Sequence, residues 1–202
     1  MNWYSMYKRG NEQQQNVVKD WLETMRNMRK TDSLPPEFVY AGLEDLLLQH
    51  GRKYESQPLT AEEMTILKNT IKNAWKYVSR QCYYNSQVIA TSSKGLIKYV
   101  EGVAFCKLIP MNHAWNTING KVLDFTWKSL NNSEPVLGIL PDGWEYYGLE
   151  FPISKQEMRD YIKKHKEVKT FLDDWKGGHQ ILKRPFQAIS ENSEQKSLVD
   201  HQ

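Results

Sequence analysis

Cys82, His113 and Asp124 are three residue types that together perform acyl transfer, and they occur in that order along the chain. The thiolate is the nucleophile, the imidazole moves the proton, and the carboxylate fixes the imidazole tautomer and steadies its charged form. The residues around the last two say how they would meet. Asn119-Gly120 is a strong hairpin signal, because both residues accept the positive φ of a type I′ turn. A two-residue turn there sets Ile118 opposite Lys121, Thr117 opposite Val122 and Trp115 opposite Asp124. Side chains alternate along a strand, so His113, Trp115, Val122, Asp124 and Thr126 share one face. His113 and Asp124 are then diagonal neighbours, about 7–8 Å apart at Cα and within side-chain reach. Aspartate is depleted inside strands, so one between Leu123 and Phe125 calls for a reason.

Cys82 lies in Gln81-Cys82-Tyr83-Tyr84-Asn85-Ser86, at the predicted start of a helix from about Cys82 to Thr91. The helix dipole and unpaired amides at such a start stabilise a thiolate. The opposing reading is a buried structural thiol, the fate of most free cysteines. The His113–Asp124 pair downstream favours the nucleophile. Cys106 lacks such a setting and is assigned to the core. The Cys82 N–H is the default oxyanion donor, and Gln81, Asn85 or Asn112 would add a side-chain amide. Asn85, one turn after Cys82 on the same helical face, is preferred. Trp115 is placed to shield the imidazole from water. Glu101, between Val100 and Gly102 in an apolar strand, either faces solvent or points into the site as a cation-binding or acid/base group. Gly102 would allow close backbone approach by a ligand, or a bulge. The candidate substrate-binding or oxyanion residues are therefore Asn85, Gln81, Glu101 and Trp115. Cys82, Cys106, His113 and Asp124 could also be four metal ligands, but the close Cys/His pairings of zinc sites are absent and no metal is expected.

Tyr99-Val100-Glu101-Gly102-Val103, His113-Ala114-Trp115 and Gly120-Lys121-Val122-Leu123-Asp124-Phe125-Thr126-Trp127 resemble the core of transglutaminase-like cysteine proteins, over roughly residues 80–151. The resemblance implies a papain-like fold, with the cysteine opening a helix and the histidine and aspartate on successive antiparallel strands. The Cys-Tyr-x-Asn segment at Cys82, the Tyr99–Gly102 strand and Tyr146-Tyr147-Gly148-Leu149-Glu150-Phe151 are also similar to segments of small bacterial and phage proteins. Glu101 departs from the transglutaminase-like pattern, which often carries a small residue there. The resemblance implies a reaction type and leaves the substrate open, whether protein, peptide or small amide.

At 202 residues the chain is long enough for one sizeable core with appended segments. A net charge of +3, mixed throughout, gives no electrostatic case for nucleic acid. Two cysteines, no recognisable signal peptide and no long apolar run predict a cytoplasmic protein without membrane spans. No phosphate-cradling glycine loop or dinucleotide fingerprint is present, and no cofactor is expected.

The pattern predicts an aromatic arm over residues 1–10 and helices from about Glu12 to Lys30 and Glu37 to His50, the second stopped by Gly51. A capping box at Thr60-Ala61-Glu62-Glu63 opens a third, with Met64, Leu67, Ile71, Trp75 and Val78 on one face. Strands follow at about Ile97–Lys107, His113–Ile118, Lys121–Trp127 and Trp144–Glu150, with a loop over Asn131–Asp142. A second capping box, Ser154 to Glu157, opens a further helix, and a shorter one is expected around Val168–Trp175. The polar stretch beyond Gln187 reads as disordered. The fold class is α+β: a papain-like or transglutaminase-like core with a small antiparallel sheet, an active-site helix and added N-terminal helices. Residues 1–80 form the helical portion packed on the core, 81–178 the core with its C-terminal helices, and 179–202 the polar tail. The expected function is cysteine-dependent acyl transfer, with hydrolysis (amidase, peptidase or deamidase) preferred over transfer to an amine. The competing class is a phage or bacterial host-interaction protein that keeps the scaffold without turnover.

Overall fold

In the computed structural model, residues 16–29, 35–74, 78 and 80–186 are described. Among them five α-helices stand around a curled six-stranded antiparallel sheet, so the chain is α+β. The helices are α1 (Val17–Arg29), α2 (Leu43–His50), α3 (Ala61–Ala74), α4 (Cys82–Ser92) and α5 (Lys155–His165). The strands are β1 (Arg52–Tyr54), β2 (Lys98–Cys106), β3 (Met111–Ile118), β4 (Lys121–Asp124), β5 (Val136–Leu137) and β6 (Trp144–Phe151), in the spatial order β1-β6-β2-β3-β4-β5.

The sheet divides the core. Val100, Ala104, Cys106, Trp115, Val122 and Tyr146 pack on one face, closed by Tyr54, Trp127, Val136 and Trp144. Tyr99, Val103, Phe105, Ala114 and Leu149 face the other way, against Val18 and Leu22 of α1, Leu46 and Leu47 of α2 and Ala90 of α4. A third cluster joins Leu67 of α3 to Ile89, Ile97, Ile118, Leu123 and Phe125.

Local signals produce local structure as expected. Asn119 and Gly120 take φ values of +49° and +78°, and the ladder runs Ile118↔Lys121, Thr117↔Val122 and Asn116↔Leu123. The hairpin is pinned from outside by Glu63 of α3, which accepts from Asn119 Nδ2 at 2.9 Å and Lys121 Nζ at 2.8 Å. Both capping boxes form: Thr60 N donates to Glu63 Oε2 at 2.7 Å, and Glu157 N to Ser154 Oγ at 3.1 Å.

The structure departs from the sequence pattern where distant segments intervene. α2 begins at Leu43 rather than near Glu37, because the Val39 and Tyr40 N–H groups donate to Leu182 O, at 2.8 and 3.2 Å, instead of entering a helix. Gly51 does follow α2, but with φ −74°; its small size matters because a Cβ there would stand 2.6 Å from Leu47 O. β4 ends at Asp124, and the chain turns into a 3-10 helix at Trp127–Leu130 instead of running on as strand. Val168–Trp175 forms no helix, and Val78 is exposed rather than on the core face. β1 and β5 were not visible in the pattern; each is three residues or fewer and forms only as the partner of β6 or β4. The expectations for residues 1–10, for Trp75 and for the stretch beyond Gln187 fall outside the described residues.

Residues 179–186 are held, contrary to their assignment to a free tail. Leu182 is buried, and the Phe186 N–H donates to Tyr40 Oη at 2.8 Å. Truncation after Gly178 should therefore lower the melting temperature by roughly 5–10 °C, from a lost buried leucine and its hydrogen bonds. Truncation after Gln187 keeps these contacts and should move it little. Equal losses in thermal melts of the two variants would show that the anchoring lies elsewhere.

Candidate active site

His113 enters the sheet through β3, paired to Gly102 of β2, and its imidazole is buried. The β3–β4 ladder stops at Asn116↔Leu123, so on its β4 side β3 has no strand beside His113. α4 lies along β3, tied to it by Ser86 Oγ donating to Ala114 O at 3.1 Å and by Asn116 Nδ2 donating to Ser86 O at 2.8 Å. That alignment brings the first residue of α4, Cys82, near enough to the imidazole to contribute to its charge balance.

On its other edge the ring is fixed by Asp124, with His113 Nε2 2.8 Å from Oδ2. With Nε2 engaged by Asp124, Nδ1 is the ring nitrogen that remains. Asp124 is itself held at both oxygens. Oδ1 accepts the N–H groups of Thr126 at 2.8 Å and Trp127 at 3.3 Å, and Oδ2 also accepts from Tyr146 Oη at 2.9 Å. Trp127 lies flat on the imidazole, with centroids 4.1 Å apart and planes 16° apart. The ring therefore has one orientation, set by a bond in its plane and a stack on its face.

These contacts set the charges. Burial opposes ionisation of Asp124, but the charge and hydrogen bond of His113, the Thr126 N–H and the Tyr146 hydroxyl hold its carboxyl below the usual range. For His113, burial again works against the charged form. The charge and hydrogen bond of Asp124, then those of Cys82, outweigh it and push the imidazole up to about 9. His113 thus carries a proton at neutral pH, between a carboxylate and a sulfur. Burial pushes the Cys106 thiol up, away from thiolate, and Cys106 sits in the aromatic core face as expected.

The structure brings Cys82, His113 and Asp124 together and places the other candidates differently. Gln81 is exposed at the N-cap of α4, and its carboxamide makes no capping bond. Asn85 is buried and engaged: Oδ1 accepts the Val78 N–H at 3.1 Å, and Nδ2 donates to Val78 O at 2.8 Å and Thr126 Oγ1 at 3.2 Å. It ties the approach to α4 to the residue after β4, which positions Cys82 and leaves no free amide for an oxyanion. Trp115 is 0% exposed, edge-on to Tyr54 and Tyr146, and so supports the ring from within the core rather than lining a cleft. Glu101 neither faces solvent nor enters the site. It lies on the opposite sheet face, 1% exposed, where Tyr99 Oη donates to it at 2.7 Å and the N–H groups of Phe171 and Leu172 at 2.9 and 2.8 Å. Gly102 makes room for a neighbouring strand, not a ligand: a Cβ there would sit 2.2 Å from Tyr147 O.

Sequence reasoning missed Tyr146, Trp127 and Thr126. The available signal was weak: a tyrosine inside an apolar strand, and an Asp-x-Thr-Trp run in which the aspartate can accept from the amides that follow it. Among the described residues no three His, Cys, Asp or Glu side chains form a group placed to hold a metal ion, and no helix is long and apolar enough to cross a membrane. Comparison with protein-family models, curated proteins and solved structures returned no match, so the geometry of the chain itself carries the functional reading.

Proposed function

We propose that the chain is a cysteine-dependent acyl-transfer enzyme of amidase, peptidase or deamidase type, built on a papain-like core. One observation carries this reading: the imidazole of His113 is bonded at Nε2 to a fully held carboxylate, 2.8 Å away, and the thiol that opens α4 stands near enough to help hold its proton. A structural histidine needs one partner. This one has an orienting acid on one nitrogen and a thiol close by, which are the groups acyl transfer requires.

In the proposed reaction Cys82 Sγ attacks the acyl carbon of an amide. The developing oxyanion accepts from the Cys82 N–H, one of the amides that a helix start leaves unpaired, and from the Gln81 carboxamide. His113 gives its Nδ1 proton to the leaving nitrogen as the C–N bond breaks, and a thioester remains on Cys82. Neutral His113 then takes a proton from water as the water oxygen attacks the thioester carbon. The C–S bond breaks, the acid departs, and the proton is back on His113. Asp124 keeps Nε2 as a donor throughout, so Nδ1 stays aimed at the sulfur.

Iodoacetamide labelling with site mapping tests the nucleophile before any substrate is known. Cys82, half-buried at the start of α4, should be alkylated in the native chain, whereas Cys106, at 7% exposure, should react only after denaturation. Equal slow labelling of both thiols would remove the catalytic thiolate and favour a binding protein without turnover.

A further inference from the structure

We propose that a groove between α4 and α5 binds an extended peptide segment in which acidic and aliphatic residues alternate, whether or not Cys82 performs acyl transfer. The groove has a volume of about 500 Å³, within the range of about 300–1,000 Å³ typical of ligand sites. Its floor is aliphatic, from Val88 of α4 and Met158 and Ile162 of α5, and one wall carries Lys155, Arg159 and Lys163. No acidic side chain lines it.

The three cations are available. Among the described residues none of them has an ion-pair partner. The carboxylates nearest on α5 are engaged elsewhere: Asp160 takes the Gln156 amide at 2.9 Å, and Glu157 closes the capping box at Ser154. A row of unpaired cations above an aliphatic floor calls for an occupant with negative charge and apolar side chains together.

The spacing selects an extended peptide. Cations four residues apart on a helix rise by about 6 Å. Alternate side chains of an extended chain repeat every 6.6–7 Å or so. Glutamates at every second position would meet the wall while intervening aliphatic side chains turn away toward the floor. Nucleic acid fits less well, since single strands need aromatic platforms for their bases and Tyr84 is the one aromatic residue in the lining. At about 100° per residue, Tyr84, Val88, Thr91 and Ser92 project from the flank of α4 turned away from Cys82, so the groove is a surface separate from the thiol.

The test is fluorescence anisotropy with the full chain as Cys82→Ala, so that no turnover intervenes. Fluorescein-labelled Glu-Leu-Glu-Leu-Glu-Leu should bind at least about tenfold tighter than Gln-Leu-Gln-Leu-Gln-Leu, with affinity falling as salt rises. The triple variant K155E/R159E/K163E should lose that preference. Arg159→Gln, a milder change in case the triple variant does not fold, should still weaken binding about threefold. Equal binding of the two peptides, unaltered binding by a folded triple variant, or tighter binding of oligothymidylate would overturn the proposal. The chemistry is read separately: selective peptide binding with a Cys82 inert to iodoacetamide would sink the acyl-transfer reading and leave the groove standing. A reactive Cys82 without peptide preference would do the reverse.

Discussion

Asp124→Asn is expected to reduce turnover by about 10²–10⁴ while the fold survives. The asparagine carbonyl can still accept the Thr126 and Trp127 amides, and its NH₂ can serve the Tyr146 hydroxyl. Facing that NH₂, however, His113 Nε2 must become the acceptor. The ring proton then moves to Nδ1 in the neutral form, where the base that activates water should have a lone pair. Cys82→Ala and His113→Ala should be at least as severe, and double variants far from additive. The pH profile supplies a second readout. His113 acts as an acid only while protonated, and Asp124 and Cys82 lift it to about 9, so activity should fall as pH rises through that value. In Asp124→Asn the supporting charge is gone, and this limb should move to lower pH. If both His113→Ala and Asp124→Asn leave the pH dependence of Cys82 alkylation as it is in the parent, the three residues do not act together.

The second large effect is expected at Glu101, on stability. Glu101→Ala removes the acceptor for two backbone N–H groups and the Tyr99 hydroxyl, and with it the contact that holds residues 171–172 against β2. Each buried group left unpaired costs about 1–3 kcal/mol, though release of the segment to water caps the sum. A loss of about 2–4 kcal/mol in urea unfolding is expected, with amides of Phe171 and Leu172 exchanging fast. Glu101→Gln keeps an acceptor and should separate the charge from the bond. Burial, partly offset by the Leu172 N–H, the Tyr99 hydroxyl and the Phe171 N–H, raises the Glu101 carboxyl to about 7. A carboxyl raised above its unfolded value binds its proton more tightly in the folded chain. That contribution is complete below the unfolded value near 4.5 and is lost as pH climbs through about 7. The melting temperature of the parent should fall across that window, and Glu101→Gln should flatten the fall. A slope unchanged in Glu101→Gln would assign it to another group.

What was legible in the sequence was whatever is decided by neighbours in sequence. Asn119-Gly120 dictates its own turn, the turn dictates register, and register puts Asp124 on the face of His113. The capping boxes at Thr60 and Ser154 are equally self-contained. The misreadings share the opposite cause. Glu37–Gly42 has helical composition, but Leu182 claims its amides. Val168–Trp175 has apolar spacing suited to a helix, but Glu101 takes two of its N–H groups and holds it irregular. Asn85 was placed correctly on the helix and given the wrong task, because its partners Val78 and Thr126 approach from opposite directions in the chain. The role of Tyr146 went unread because nothing near it in sequence says that the sheet will lay it against Asp124.

The strand order has a consequence for the timing of synthesis. β3 and β4 are joined by a two-residue turn and can pair within microseconds of emerging. β6, by contrast, is inserted between β1 and β2, partners that lie on average far upstream of it. Such long-range closure is slow relative to hairpin formation. Until β6 arrives, Asp124 lacks the Tyr146 hydroxyl and the aromatic wall around His113 is unfinished. A nascent chain that has released α4 and the hairpin therefore carries Cys82, His113 and Asp124 without their final alignment, and the site takes its finished form only when β6 is in place.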